Sequence, residues 1–205
     1  MTFAALIVNG LGFDPLETTL LGVPTGVIGT IWSIIFNILT SRLPGYRCVL
    51  IVISLLFPIL AAVLLWQLPR DDKVALLGPY YAFYSYWACY TMSTSLPMAN
   101  TSGHTKKVTL GAMYFLGYCV GNILGPQVFR AEDAPMYHKG YIGLLASLVV
   151  GAISISAYGL LCKMENRRRD KLQGGGPVQQ TEEEMRQEAF SDLTDKEKIN
   201  FRYSY

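Results

Sequence analysis

The chain has 205 residues, is 51% hydrophobic and carries 17 basic and 15 acidic side chains. From Lys163 onward there are nine of each sign, which leaves the first 162 residues with eight basic and six acidic groups. A soluble domain keeps about a quarter or more of its surface charged, so composition excludes one for residues 1–162, and a net charge of +2 gives no ground for a nucleic-acid partner.

Residues 1–13 are apolar (Phe3-Ala-Ala-Leu-Ile-Val8) but end at Asp14, too soon to cross a bilayer. With no basic region ahead and no cleavage site, they read as the end of a helix rather than a signal peptide. That reading has the chain begin in mid-architecture. Five stretches then lack Asp, Glu, Lys, Arg and His: 20–40, 48–68, 74–98, 108–129 and 141–162, each of 21 residues or more. About 20 helical residues cross the roughly 30 Å hydrocarbon core. Each stretch is therefore predicted to be a spanning helix, with the lipid bilayer as solvent. Residues 163–205 follow as a largely disordered tail that cannot bury enough apolar surface to fold alone.

Basic residues in short connections stay on the cytoplasmic side. One alternate set holds Arg42, Arg47, Lys106, Lys107, Lys163, Arg167, Arg168, Arg169 and Lys171; the other holds only Arg70, Lys73, Arg130 and Lys139. The first set, tail included, is expected in the cytoplasm, with Arg167, Arg168 and Arg169 near anionic headgroups. Within the tail, Gly174-Gly-Gly-Pro177 is a flexible break, 181–190 suits a short helix, and Thr194-Asp-Lys-Glu197 has capping-box spacing.

Within the spans, Gly117, Gly121 and Gly125, and then Gly143, Ser147 and Gly151, recur every fourth residue and are expected to pack against neighbouring helices. Prolines at 24, 58, 79, 97 and 126 lie in or at the ends of four spans, where they bend helices and can shape a cavity. The stretch Tyr80–Ser95 carries seven aromatic and five Ser or Thr side chains, a poor surface for lipid. Tyr84, Trp87 and Thr91 share one helical face. A buried phenol or indole needs a partner, so these residues either line a wet cavity or ligand site or pack between helices. Tyr118 and Asn122, four apart, share a face on the next span; the amide is expected to bond a neighbouring helix or a ligand. Asn37 reads as structural.

No carboxylate, Lys, Arg or His lies inside the five spans, so proton coupling has to be seated elsewhere. His104 and His138 fall in connections on opposite sides, which excludes a shared metal site. Cys48, Cys89, Cys119 and Cys162 show no Cys-x-x-Cys spacing and read as small apolar residues. No phosphate loop follows Gly174-Gly-Gly176. No nucleophile, base and orienter can be assembled, so neither an enzyme nor a cofactor is expected.

Three segments carry a resemblance: Asn100-Thr-Ser-Gly-His-Thr-Lys-Lys-Val108, Gly117-Tyr-Cys-Val-Gly-Asn-Ile-Leu-Gly-Pro-Gln-Val-Phe-Arg-Ala-Glu-Asp-Ala-Pro135, and the closing Asp192-Leu-Thr-Asp-Lys-Glu-Lys-Ile-Asn-Phe-Arg202. They resemble the fungal allantoate permease family, in the anion:cation symporter branch of the major facilitator superfamily. Asn9-Gly-Leu-Gly-Phe-Asp-Pro-Leu-Glu17 is similar to that family's outer connection between helices seven and eight. The resemblance implies an all-α membrane protein, the carboxyl-terminal six-helix half of a major facilitator fold. Residues 1–13 would end a truncated helix seven and the five spans would be helices eight to twelve. It implies proton-coupled uptake of a small organic anion by alternating access at the plasma membrane; the polar aromatic faces of the spans make Tyr84, Trp87, Thr91, Tyr118 and Asn122 the substrate-binding candidates. The partners would then be the substrate, protons and a missing amino-terminal half or partner half. The alternative is a truncated, non-transporting membrane protein or a half-carrier. A lesser option is a tail that recruits trafficking or ubiquitin machinery through Lys196 and Lys198.

Overall fold

The computed structural model describes residues 15–43, 45–68, 73–101, 103–133, 137–174 and 200–205. The predicted helix end at 1–13, the turn and helix signals at 175–199, and Lys196 and Lys198 lie outside them. The described chain is all helical: α1 Pro15–Arg42, α2 Arg47–Gln67, α3 Lys73–Phe83, α4 Tyr86–Ala99, α5 His104–Val128 and α6 His138–Leu172, with a short 3-10 turn at Ala131–Asp133. Four of these, α1, α2, α5 and α6, are long and apolar enough to cross a bilayer. They contain all or nearly all of the uncharged stretches 20–40, 48–68, 108–129 and 141–162.

Helices in hydrocarbon must satisfy every polar group internally. The hydroxyls accordingly return to their own backbone: Thr30 donates to the Gly26 carbonyl at 2.8 Å, Ser33 to Gly29 at 2.8 Å, Ser154 to Val150 at 2.8 Å and Ser156 to Ala152 at 2.8 Å. The apolar surface left outward is large, as Ile31, Leu56, Phe115 and Leu161 show. In water that surface would be untenable; against lipid it costs nothing.

α2 is the central helix. Ile51, Ser54, Leu55, Pro58, Ala62 and Leu65 make one buried face, at the spacing of a helical stripe. It packs mainly on α6, α3 and α4. One core cluster joins Phe36, Cys48, Ile51, Leu55, Ala88, Cys89, Met92 and Leu96; a second joins Leu65, Leu76, Tyr80, Tyr84 and Tyr141. Ala62 and Ala88, both fully buried, let backbones approach. The Ser54 hydroxyl and Cys89 thiol meet at 2.9 Å across α2 and α4. The cysteines are unpaired, three of them buried.

α2 and α6 run antiparallel and meet near both ends of α2. At one, the Trp66 indole N–H donates to Nδ1 of His138 at 2.8 Å, which fixes the proton of a neutral imidazole on Nε2. At the other, a Cβ on Gly159 would stand 2.9 Å from the Cys48 Cβ. Only a residue without a side chain fits there.

α5 differs from the others in having no buried residue. The expected packing of its glycine stripe is not found: nothing lies within 4 Å of a Cβ built on Gly117, Gly121 or Gly125. In α6 the stripe is divided, with Gly143 against Val128 of α5 and Gly151 open. The small side chains are present, but among the described residues nothing packs onto the Gly117–Gly121–Gly125 face of α5.

The stretch 74–98 is divided as well. Tyr84 and Ser85 form a turn between α3 and α4, with N–H groups of Tyr84, Ser85, Trp87 and Ala88 each bonded three residues back, the tighter 3-10 pattern. Pro79, buried within α3, has no N–H to give the helix upstream of the break.

The tail also differs from its expected description. α6 continues ten residues beyond Cys162 to Leu172, and residues 200–205 are packed against the bundle. Phe201 and Tyr203 rings stand 5.2 Å apart, and Tyr205 lies on the Phe36–Leu96 cluster. Arg169 is turned inward and only 3% exposed, whereas Arg167 and Arg168 stay outside. The triple arginine is therefore split between one buried and two exposed positions. Local composition does not reveal that difference. The Arg169 hydrogen bond holds the Glu165 carboxyl below the usual carboxylate range.

Candidate functional site

An aromatic run follows the α3–α4 break and crosses to α5. Tyr80 and Tyr84 rings are 5.5 Å apart and their hydroxyls 3.4 Å apart. Tyr86 stacks on Trp87 at 5.1 Å, Trp87 meets Tyr90 edge-on at 5.7 Å, and Tyr90 reaches Tyr114 at 6.2 Å and Tyr118 at 6.0 Å. Offset and edge-on pairs of this kind stabilise the arrangement beyond the area they bury.

The five sequence-predicted residues take different positions along this run. Tyr84 is buried in the second core cluster. Trp87 is half-buried, its Cδ1 only 2.9 Å from where a Cβ on Gly29 of α1 would stand. Gly29 is thus the notch that lets the indole lie flat on α1. Thr91 donates to the Ala88 carbonyl at 3.1 Å and accepts from Asn37 Nδ2 at 3.0 Å. Asn37 therefore holds a candidate site residue across α1 and α4, besides bonding the Ser33 carbonyl at 2.7 Å. Tyr118 is 46% exposed and joins the run only through Tyr90. Asn122 stands apart, its amide donating to the Tyr118 carbonyl of its own helix at 2.8 Å.

Tyr90 and Tyr114 are the members that sequence spacing misses. Tyr90 follows Trp87 by three residues and so lies on the same helical side, a signal present but diluted among seven aromatics. With Thr94, Pro97, Phe115 and Tyr118 they border a cavity of about 210 Å³ between α4 and α5. Among the described residues no hydrogen bond engages the hydroxyls of Tyr90, Tyr114 or Tyr118. Nearby, Ser85 is fully buried at the helix break with its hydroxyl unpartnered. The arrangement offers neutral donors in an apolar wall, suited to orienting a small polar molecule, and supplies no fixed charge. No group of three His, Cys, Asp or Glu that could hold a metal occurs among the described residues.

No family model and no solved structure matches the chain. Curated fungal proteins do. The MFS-type transporter cnsL of Penicillium expansum is 37% identical over 99% of this chain and 41% of its own length. A thiamine pathway transporter of Saccharomyces cerevisiae is 38% identical over 100% of the chain and 38% of its own length. The allantoate permease of the same yeast is 30% identical over 99% and 38%. The chain thus spans about 40% of the length of the curated relatives it matches.

Apolar helices of membrane-spanning length mark an integral membrane protein, and along its whole length the chain is similar to curated transporters. Its all-α fold is that of the carboxyl-terminal half of a major facilitator transporter, the type to which the chain is similar.

Proposed function

We propose that this chain forms one half of the passage of a carrier for a small organic anion of the allantoate, ureidosuccinate or vitamin-acid type, in the allantoate permease branch. The carrier works by proton-coupled alternating access at the plasma membrane, with the segment from Lys163 onward in the cytoplasm. The observation that carries this reading is the aromatic run from Tyr84 to Tyr118 beside a cavity whose phenol hydroxyls have no hydrogen-bond partner among the described residues. Phenol and hydroxyl donors orient a carboxylate or ureido group, while aromatic faces cover its carbon skeleton. Tyr84, Trp87, Thr91, Tyr118 and Asn122 are the proposed substrate-facing set, with Tyr90 and Tyr114 added. Charge compensation and the proton acceptor belong to another part of the carrier, because the described spans hold no ionisable carboxylate or cation in their interiors.

α5, with no buried residue, favours a second statement: this half is completed by another half, and alone it does not transport. Uptake of labelled allantoate, ureidosuccinate and a vitamin acid by cells making the complete carrier tests the reading. Replacing Tyr118 by Phe and Asn122 by Ala should raise KM about tenfold for the transported acid, the loss expected for one hydrogen bond to a charged group. Unchanged uptake kinetics in both variants would remove these residues from the site.

A further inference from the structure

The closing motif Asp192–Arg202 plays no part in the proposed passage, yet the described residues from its end onward, 201–205, make a dense set of polar contacts with the helices. Tyr203 gives its backbone N–H to Oδ1 of Asn166 at 2.9 Å and accepts Nδ2 of the same side chain at 2.8 Å. Ser204 repeats this with Asn100, N–H to Oδ1 at 2.6 Å and carbonyl from Nδ2 at 2.8 Å. The Tyr205 carbonyl accepts the Arg47 backbone N–H at 2.9 Å. An extended chain presents the N–H and C=O of successive residues to opposite sides. Asn166 of α6 and Asn100 at the end of α4 therefore grip it from two sides, each reading both polar groups of one residue.

The side chains add selectivity. Arg169 donates to the Phe201 carbonyl at 2.7 Å, stands 4.8 Å from the centre of the Tyr203 ring, and is itself held by Glu165 at 3.1 Å. Arg202 pairs with Asp170 at 2.9 Å. Tyr205 enters the core cluster beside a groove of about 490 Å³ bordered by Tyr46, Cys48, Gly159 and Lys163. Asn100 and Asn166 are buried. With the segment gone, Asn166 would lose both of these backbone partners and Asn100 would keep only the Tyr158 hydroxyl, to which its amide donates at 2.6 Å, leaving polar groups to be satisfied anew. Each side chain matches the paired N–H and C=O of one backbone residue.

We propose that the inner ends of α2, α4 and α6 form a binding site for an extended peptide of the pattern aromatic–Arg–aromatic–polar–aromatic. Residues 201–205 occupy it in cis, and their seating couples α4 to α6. The site reads main chain through two asparagines and aromatic side chains through Arg169 and the cluster behind Tyr205. It is independent of what the carrier moves.

The test uses the complete carrier in inside-out vesicles with a membrane-impermeant maleimide. Ser204→Cys should label about tenfold more slowly than Arg167→Cys on the open face of α6, and Asn166→Leu or Asn100→Leu should remove that protection. Separately, a carrier ending at residue 199 should bind the synthetic peptide Phe-Arg-Tyr-Ser-Tyr saturably, raising its thermal midpoint, whereas the carrier with residues 200–205 present should not. Equal labelling of Ser204→Cys and Arg167→Cys in the otherwise unchanged carrier would overturn the proposal, whether or not the shortened form inserts. So would a peptide that leaves a well-inserted shortened carrier unaltered.

Discussion

Single residues in this bundle act by what they omit as much as by what they present. Gly29 leaves the space against which Trp87 rests, with the Tyr84 carbonyl a further 3.4 Å contact. The indole edge and a backbone oxygen are both hard to move. Gly29→Val should therefore destabilise the protein by about 1–3 kcal/mol, the usual cost of overpacking, read as a lower thermal midpoint in detergent. Gly22→Val, with nothing within 4 Å, should fall by much less. Residue types in the candidate site were legible in the sequence, because Tyr, Trp and Thr in an otherwise apolar span are conspicuous. Their partners were not. Thr91 finds Asn37 54 positions away, and periodicity within one helix carries no record of which neighbour faces it.

At the level of elements, helix length and polarity were readable and continuity was not. The uncharged stretch 74–98 is as long as its neighbours, yet the chain tightens at Tyr84–Ser85 and becomes two helices. A charge-free window measures hydropathy and does not register the i to i−3 bonding that interrupts it. α5 shows the opposite limit. Its glycines are spaced for close packing, while the described structure leaves them uncovered. Gly121→Leu should hence leave the stability of this half unchanged or raise it by up to about 1 kcal/mol through helix propensity. In the complete carrier the same change should depress uptake, since the bare stripe is where a second half can approach. Parallel melting and uptake measurements on one variant separate the two effects, and full uptake would place the stripe against lipid.

For the molecule as a whole, the charge partition foretold a membrane protein more surely than any motif. Fourteen charged groups in 162 residues cannot keep a soluble surface wet. The same partition is the ground for the proposed orientation. A cysteine placed at Arg167 should react with an impermeant reagent only from the cytoplasmic face, in inside-out vesicles and not in intact cells; labelling of intact cells would invert the topology. What the whole-chain pattern concealed was the packed end. A polar, charge-rich tail looks unable to fold by itself, and the hexapeptide 200–205 does not: it borrows Asn166 and Arg169 from α6, Asn100 from the end of α4 and the Arg47 backbone N–H from α2.

The Trp66–His138 bond and the Cys48–Gly159 contact hold α6 against α2 near the two ends of α2. A pair of rods fastened at two well-separated points resists scissoring. In the proposed alternating-access cycle, such a girder would swing as one piece, and the bending would fall to the elbow at Tyr84–Ser85, where the ladder of backbone bonds is already interrupted.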